Sequence, residues 1–414
     1  MNSNSIDRFQ QKKVLIVNLH SAQNLGDLAI LEQTTKLLEI KHPESDFVLM
    51  STYPTSWRNR TRYICVPSLS KILKSENLIG FSIINFINLV IRILVIKSLT
   101  IGSAYNKKLN QLISTIANSD IVYSAGGGNF YTNSRLGIDF IINCLTVIIA
   151  GKLGKPIIML PQSFGPVQTC WQKKILKKTI SYVDLVYARE NMSYDFLINI
   201  GVSKRKIKIL PDLALSIEND VYKKVYKEPL TIGLSIIDRH AQNKMFTRQN
   251  DYENAIISFV EQLVKQRNAK FILIVQCDGP TSDQNDIIVS EKILSKLSFE
   301  DDRVKLAKGI RDLSEFSKMV NELDVLISTR MHTGIIGLVH RVPTILIGYQ
   351  PKAEGLFHLL DLDEYHIEID NVTSEFLLNR FNKILENYAT YVKKIEMCIP
   401  KISSEIKKEI LNLR

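Results

Sequence analysis

Cysteine is scarce and scattered. Cys65, Cys144, Cys170, Cys277 and Cys398 are the five in 414 residues, none in a CxxC pair and none at ligand spacing from a histidine. That pattern argues against a disulfide framework and a zinc site, and it fits a reducing compartment. No metal site is therefore expected. The opening stretch MNSNSIDRFQQKK lacks an apolar h-region, so the expected compartment is the cytoplasm. Low-complexity tracts and short-period repeats are absent too, which sets solenoids and linker-like chains aside.

What is present is ordinary globular composition. Hydrophobic residues make 45% and charged residues 23%, which excludes a mostly disordered chain, a collagen-like fibre and a polytopic membrane protein. The length suggests two or three domains, each able to bury a core. Lys and Arg number 53 against 42 Asp and Glu, a formal charge of +11. Such a balance favours a polyanionic partner: nucleic acid, anionic lipid or a phosphorylated small molecule. No aromatic-basic binding module appears, so no nucleic acid is expected.

Strand and helix patterns alternate along the chain. Val14–Asn18, Asp46–Ser51, Ile121–Ser124, Pro156–Leu160, Leu185–Ala188 and Lys206–Leu210 read as buried strands, with helical patterns between them. A mixed-charge stretch, residues 213–229, breaks the rhythm. A second set follows: Leu230–Ile237, Phe271–Cys277, Arg303–Leu306, Asp324–Ser328 and Thr344–Gly348. The expected fold class is α/β, with two Rossmann-like domains. The expected divisions are 1–212, a linker at 213–229, a second domain at 230–373 and a helical tail at 374–414. Residues 78–101 (NLIGFSIINFINLVIRILVIKSLT) depart from this scheme. They are long and apolar enough for a membrane span, but Ser82, Asn85, Asn88 and Arg92 form one polar stripe. With the surrounding lysines, this reads as an amphipathic excursion. It could face an anionic membrane surface or fold onto its own domain.

Ligands of open α/β sheets bind beyond the carboxyl ends of strands. Five such turns carry candidate chemistry. After the first strand, Gln23, Asn24, Gly26 and Asp27 offer a tight turn and a carboxylate for a hydroxyl; Asp27 equally suits a helix N-cap. Gly127, Gly128 and Asn129 lie in a run of glycines that lets backbone approach a ligand or another strand. No GK[ST] follows, so it is not a P-loop. Gln162 and Ser163, between Pro161 and Pro166, read as a rigid loop with neutral groups suited to sugar hydroxyls, or as plain turn chemistry. Arg189 ends a strand and could clamp a carboxylate or phosphate, or pair with Glu190 or Asp195. Ser328-Thr329-Arg330-Met331-His332 ends another, joining a cation to a titratable imidazole; its alternative is a helix-capping loop with an exposed histidine. Lys352 follows the next strand.

These motifs in order (NLGDLAI, GGGNF, LPQSFGP, ARENMSYDFL, LPDLAL and STRMHTGIIGLVHRVPTILIGYQPK) resemble the polysaccharide pyruvyl transferase family, over about Val14 to Leu356. Ser-Thr-Arg-Met-His has the family's Ser-x-Arg-x-His form, which carries over Arg330 and His332. Arg189 matches an Ala-Arg-Glu/Asp motif, and Lys352 a lysine after the last strand. The resemblance implies a GT-B-like fold, with two Rossmann-like domains facing a cleft. It implies a reaction in which phosphoenolpyruvate, as co-substrate, gives a carboxyethylidene group to two sugar hydroxyls of a cell-surface polysaccharide or its lipid-linked oligosaccharide precursor. On that reading His332 is the general acid, Arg189, Arg330 and Lys352 bind the donor, and neither a metal nor a bound cofactor is called for. Two alternatives stand beside it: a nucleotide-sugar glycosyltransferase of the same fold, and a non-catalytic subunit of a membrane polysaccharide assembly complex.

Overall fold

The computed structural model describes residues 12–75, 107–218, 226, 228–298 and 302–413. The excursion at 78–101 and most of 219–227 lie outside these residues.

Two sheets are present. The first comprises β1 (Lys13–Leu19), β2 (Asp46–Ser51), β3 (Ile64–Pro67), β4 (Ile121–Ser124), β5 (Gly127–Phe130), β6 (Ile157–Phe164), β7 (Leu185–Ala188) and β8 (Ile207–Ile209). Their order is β3-β2-β1-β4-β6-β7-β8, with β5 beside β6. The second comprises β9 (Thr231–Ser235), β10 (Lys270–Ile274), β11 (Val304–Ala307), β12 (Val325–Ser328), β13 (Thr344–Gly348) and β14 (His366–Glu368), in the order β11-β10-β9-β12-β13-β14. Every ladder of the second sheet is parallel. Runs such as Val14-Leu15-Ile16-Val17 are fully buried, because helices cover a parallel sheet on both faces and leave no polar side.

Both glycine- and proline-rich stretches differ from expectation. Gly127–Phe130 is a strand, not a ligand-facing turn. It pairs parallel with β6, Gly127 opposite Gln162 and Phe130 opposite Phe164. Gly127 takes φ 121°, open in practice only to glycine, and the close approach is to another strand. Likewise Pro161–Phe164 is the end of β6, not a loop. Gln162 and Ser163 are buried within that strand, and the Gln162 amide donates to Ser124 Oγ at 3.2 Å.

The chain forms two compact units that are not linear in sequence. One gathers Ser21–Gln33 and Ala188–Asp195 with the chain from Ile209 onward; the other holds the rest. Leu213–Ser216, at the head of the expected linker, form a buried 3-10 turn. In the second sheet the chain winds outward from β9 through β10 to β11, then returns to β12 on the other side of β9. The strand order therefore reverses between β9 and β12, and in open α/β sheets ligands bind outside the carboxyl ends at such a point.

The tail is two helices, Ser374–Glu386 and Tyr388–Leu411. The second is tied to the sheet by two phenols. Tyr388 donates to Asp324 O at 3.0 Å, and the Tyr391 hydroxyl both donates to Thr344 O (2.8 Å) and accepts from Thr344 N (3.2 Å). Among the described residues no helix is long and apolar enough to cross a membrane. Tyr391→Phe should cost about 1–3 kcal/mol, because two buried backbone groups lose their partner. Urea denaturation should show a lower midpoint; an unchanged midpoint would mean these groups find other partners.

Candidate active site

The site's side chains come from four separate stretches of one unit. The helix Met331–Val339 starts straight after β12 and brings in His332 from its first turn. The helix Pro351–Leu359 follows β13 and brings Lys352. Ala188–Asp195 supplies Arg189 and Glu190, and the turn after β8 supplies Asp212.

Asp212 is the centre of the cluster. Its carboxylate is buried and accepts from Arg189 Nη1 at 2.7 Å and from the Ala214 N–H at 3.0 Å. The His332 Nε2 lies 3.4 Å from Asp212 Oδ2, at ion-pair distance though outside hydrogen-bond alignment. Burial alone would push the Asp212 pKa up. His332 and Arg189 outweigh it and hold the carboxyl well below the usual carboxylate range. Arg189 also meets Glu190 at 3.5 Å. It is thus engaged by two carboxylates and does not stand open as a clamp.

Arg330 is engaged in the same way. Its Nε lies 3.1 and 3.2 Å from the two oxygens of Asp286, and its Nη2 lies 2.5 Å from Asp286 Oδ1. Burial disfavours the guanidinium charge, but Asp286 outweighs burial and raises the pKa. Asp286 also accepts from the Cys277 N–H at 3.0 Å. This bidentate pair ties the end of β12 to the helix Asp286–Lys296, which makes Arg330 a framework residue here. Cys277 itself is inert: burial pushes its thiol up to about 12.

Lys352 behaves differently. It makes no hydrogen bond or ion pair with a described residue. Burial, then the charge of Arg189, push its amine down to about 7, against the pull of Glu190, Asp212 and Asp27. Lys352 lines a small recess together with Arg189, Glu190, Asp212, Met331 and Ile335. No group of three His, Cys, Asp or Glu among the described residues could hold a metal ion.

The turn after β1 supports His332. The helix begins at Leu25, and Asn24 Oδ1 accepts from the Gly26 N–H at 3.0 Å. Asp27 therefore lies inside the first turn and is not the N-cap. Asn24 Oδ1 also accepts from Gln276 Nε2 at 2.8 Å, and Gln276 Oε1 accepts from Thr333 N and Oγ1 at 2.8 and 2.9 Å. A Cβ on Gly26 would lie 2.4 Å from His332 Nδ1. The glycine is there to let the imidazole lie against the helix start. Of the other candidates, Gly127, Gly128, Asn129, Gln162 and Ser163 belong to the first unit and are not part of this cluster.

Asp212, Asp286 and Gln276 are site residues that the sequence analysis does not reach. An acidic residue at a strand end was the available signal for Asp212, in the turn after β8.

A family model of polysaccharide pyruvyl transferases matches residues 24–351. The chain belongs to the polysaccharide pyruvyl transferase family. It is a transferase whose family implies a pyruvyl donor and a sugar or oligosaccharide acceptor. Among curated proteins it is similar to the amylovoran biosynthesis protein AmsJ of Erwinia amylovora, 21% identical over 96% of this chain and all of the relative. Among solved structures it is similar to a UDP-N-acetylglucosamine 2-epimerase from Listeria monocytogenes (11% identity, 93% of this chain and 90% of that one, TM-score 0.55). It is also similar to HepE from Anabaena in complex with UDP-glucose (12% identity, 96% and 98%, TM-score 0.53). At these identities the likeness is one of fold: two Rossmann-like α/β domains of the GT-B type.

Gly26→Ala should displace the imidazole and slow transfer about 10²-fold, the effect of roughly an ångström of misplacement. The rate should be measured beside a thermal melt that shows the variant folded. A wild-type rate would mean that the imidazole position is not critical.

Proposed function

We propose that the enzyme transfers a carboxyethylidene group from phosphoenolpyruvate to two hydroxyls of a sugar, releasing phosphate, in exopolysaccharide biosynthesis. Family membership supports the transferase class, and the likeness to an amylovoran biosynthesis protein supports the pathway type. The observation that carries the mechanism is His332 Nε2 beside a carboxylate held ionised by a buried arginine.

Ionised Asp212 is the partner a protonated imidazole needs. His332 gives its proton to the methylene carbon of the donor, and the carbon bearing the phosphate becomes oxocarbenium-like. One sugar hydroxyl attacks that carbon. Phosphate departs, and the second hydroxyl closes the ketal. The two hydroxyl protons balance the step: one restores His332 and the other leaves with phosphate. Because Arg189 and Arg330 are engaged by Asp212 and Asp286, the cation offered to the donor's anionic groups is Lys352. The recess beside it places that cation next to Asp212 and Arg189.

Incubation with phosphoenolpyruvate and a sugar acceptor should release phosphate and add a carboxyethylidene group to the acceptor, read by mass spectrometry. His332→Ala should lower that rate about 10²–10⁴-fold with an unchanged melt. A variant as fast as wild type would remove His332 from the chemistry. Failure of the wild type to release phosphate with any sugar would remove the donor assignment.

Lys352 adds a pH signature. With its amine at about 7 it is mostly neutral at pH 8 and mostly charged at pH 6. A bound anion favours the ammonium form. Donor binding should therefore take up nearly one proton at pH 8 and close to none well below pH 7. Calorimetry in buffers of different ionisation heat measures this uptake, which Lys352→Met should abolish. Uptake that persists in the variant would place the titrating group elsewhere.

A further inference from the structure

Among the described residues, the ion pairs described above leave over a second cation besides Lys352. Arg239 follows β9 and is 7% exposed. Its guanidinium centre stands 4.6 Å from the centre of the Tyr349 ring. Arg189 and Arg330, equally buried, each meet an aspartate. The Arg239 side chain meets no carboxylate and donates no hydrogen bond to any described residue.

Its position is fixed by a chain of contacts from below. Gln249 Oε1 accepts from the Arg239 and His240 N–H groups at 2.9 and 3.3 Å. The Gln249 amide donates to Glu253 at 3.1 Å, and Glu253, fully buried, is neutralised by Lys292 and Lys296 at 2.7 and 2.9 Å. Asp238 caps the following turn through the Ala241 N–H at 2.8 Å. The effort goes into the backbone and leaves the guanidinium unengaged.

Strand order supplies the location. β12 lies between β9 and β13. Arg239, after β9, and Tyr349, after β13, therefore stack across the carboxyl end of β12, the strand that delivers Arg330 and His332. This is the switch point of the sheet, where ligands of such folds bind. An aromatic face steadies a guanidinium without consuming its donors, which stay available to an anion.

We propose that Arg239, backed by Tyr349, is an anion-binding residue that takes a phosphate group of a substrate. The phosphate belongs to the donor or to a phosphate-bearing acceptor; the assignment to a substrate rests on the transferase reading above. The Arg239 fork gives two parallel donors for such a group.

The full chain should be titrated calorimetrically with inorganic phosphate, pyrophosphate and phosphoenolpyruvate at low salt. At least one should bind the wild type. Arg239→Met should weaken that binding about tenfold or more, and Arg239→Lys should recover part of it. The unliganded Arg239→Met protein should melt close to wild type, since the side chain makes no ion pair or hydrogen bond with a described residue. A loss confined to phosphoenolpyruvate assigns the phosphate to the donor. A loss for pyrophosphate with phosphoenolpyruvate unchanged assigns it to the acceptor. Equal binding by wild type and Arg239→Met, or no binding of any of the three by wild type, would overturn the proposal. So would a clear fall in melting temperature in both Arg239→Met and Arg239→Gln, which would make the arginine a folding residue. If pyrophosphate binding behaves as expected but no phosphate is ever released from phosphoenolpyruvate, the donor assignment fails and the anion site stands.

Discussion

The buried carboxylate of Asp212 is the constraint around which the rest of the site is arranged. An ionised carboxylate out of water is stable only when charge and hydrogen bonds replace its hydration. Arg189, the Ala214 N–H and the nearby His332 imidazole do that here. Each partner is then fixed in turn. Arg189 cannot swing toward a ligand without stranding Asp212. The imidazole is held between that carboxylate and the start of the helix at Leu25, where only a glycine leaves room. The rigidity of the imidazole, which the proposed proton donor needs, thus follows from the expense of burying charge.

The same rule sorts the other cations. Four positive side chains gather near the strand ends of the second unit, and two are matched one to one with aspartates. Arg330 with Asp286 knits the end of β12 to a neighbouring helix, and Arg189 with Asp212 supports the imidazole. A matched arginine is a poor receptor for a substrate, because binding must first compete with a carboxylate at contact distance. Recognition of an anion therefore falls to the unmatched pair, Lys352 and Arg239. They are unmatched in different ways: one has its charge weakened toward neutral pH by burial and a neighbouring charge, the other rests on an aromatic ring.

How much of this was legible in the sequence depends on whether the signal was local. Thr344–Gly348 is a β-branched run after a proline, and it was read at its observed bounds. Arg330, His332, Arg189 and Lys352 were legible as candidates because a strand end is itself a local signal. Gly127–Phe130 was not legible as a strand, since glycines carry no side-chain periodicity and only pairing with β6 reveals it. Gln162 and Ser163 misled for the opposite reason: polar residues between prolines read as a loop, yet β6 buries them. Pairing was the least visible layer. Asp286 stands 44 residues before the arginine it neutralises, and Asp212 stands 23 after Arg189. Residue type alone could suggest clamps; only the fold says which clamps are already closed.

The composition takes on a narrower meaning once charges are matched in space. An excess of +11 is a sum over the whole chain and says nothing about where a cation is free to act. Locally, the Asp212 cluster is not strongly basic: Arg189 and Lys352 face Asp212, Glu190 and Asp27. On the proposed reaction, a site of mixed sign holds a multiply charged donor only moderately, which leaves room for phosphate to depart after transfer. A cleft lined solely with free cations would retain the phosphate product as firmly as the substrate. On that proposal the aspartates that occupy the arginines contribute to turnover as well as to order, by limiting uniform binding of the anion throughout the reaction.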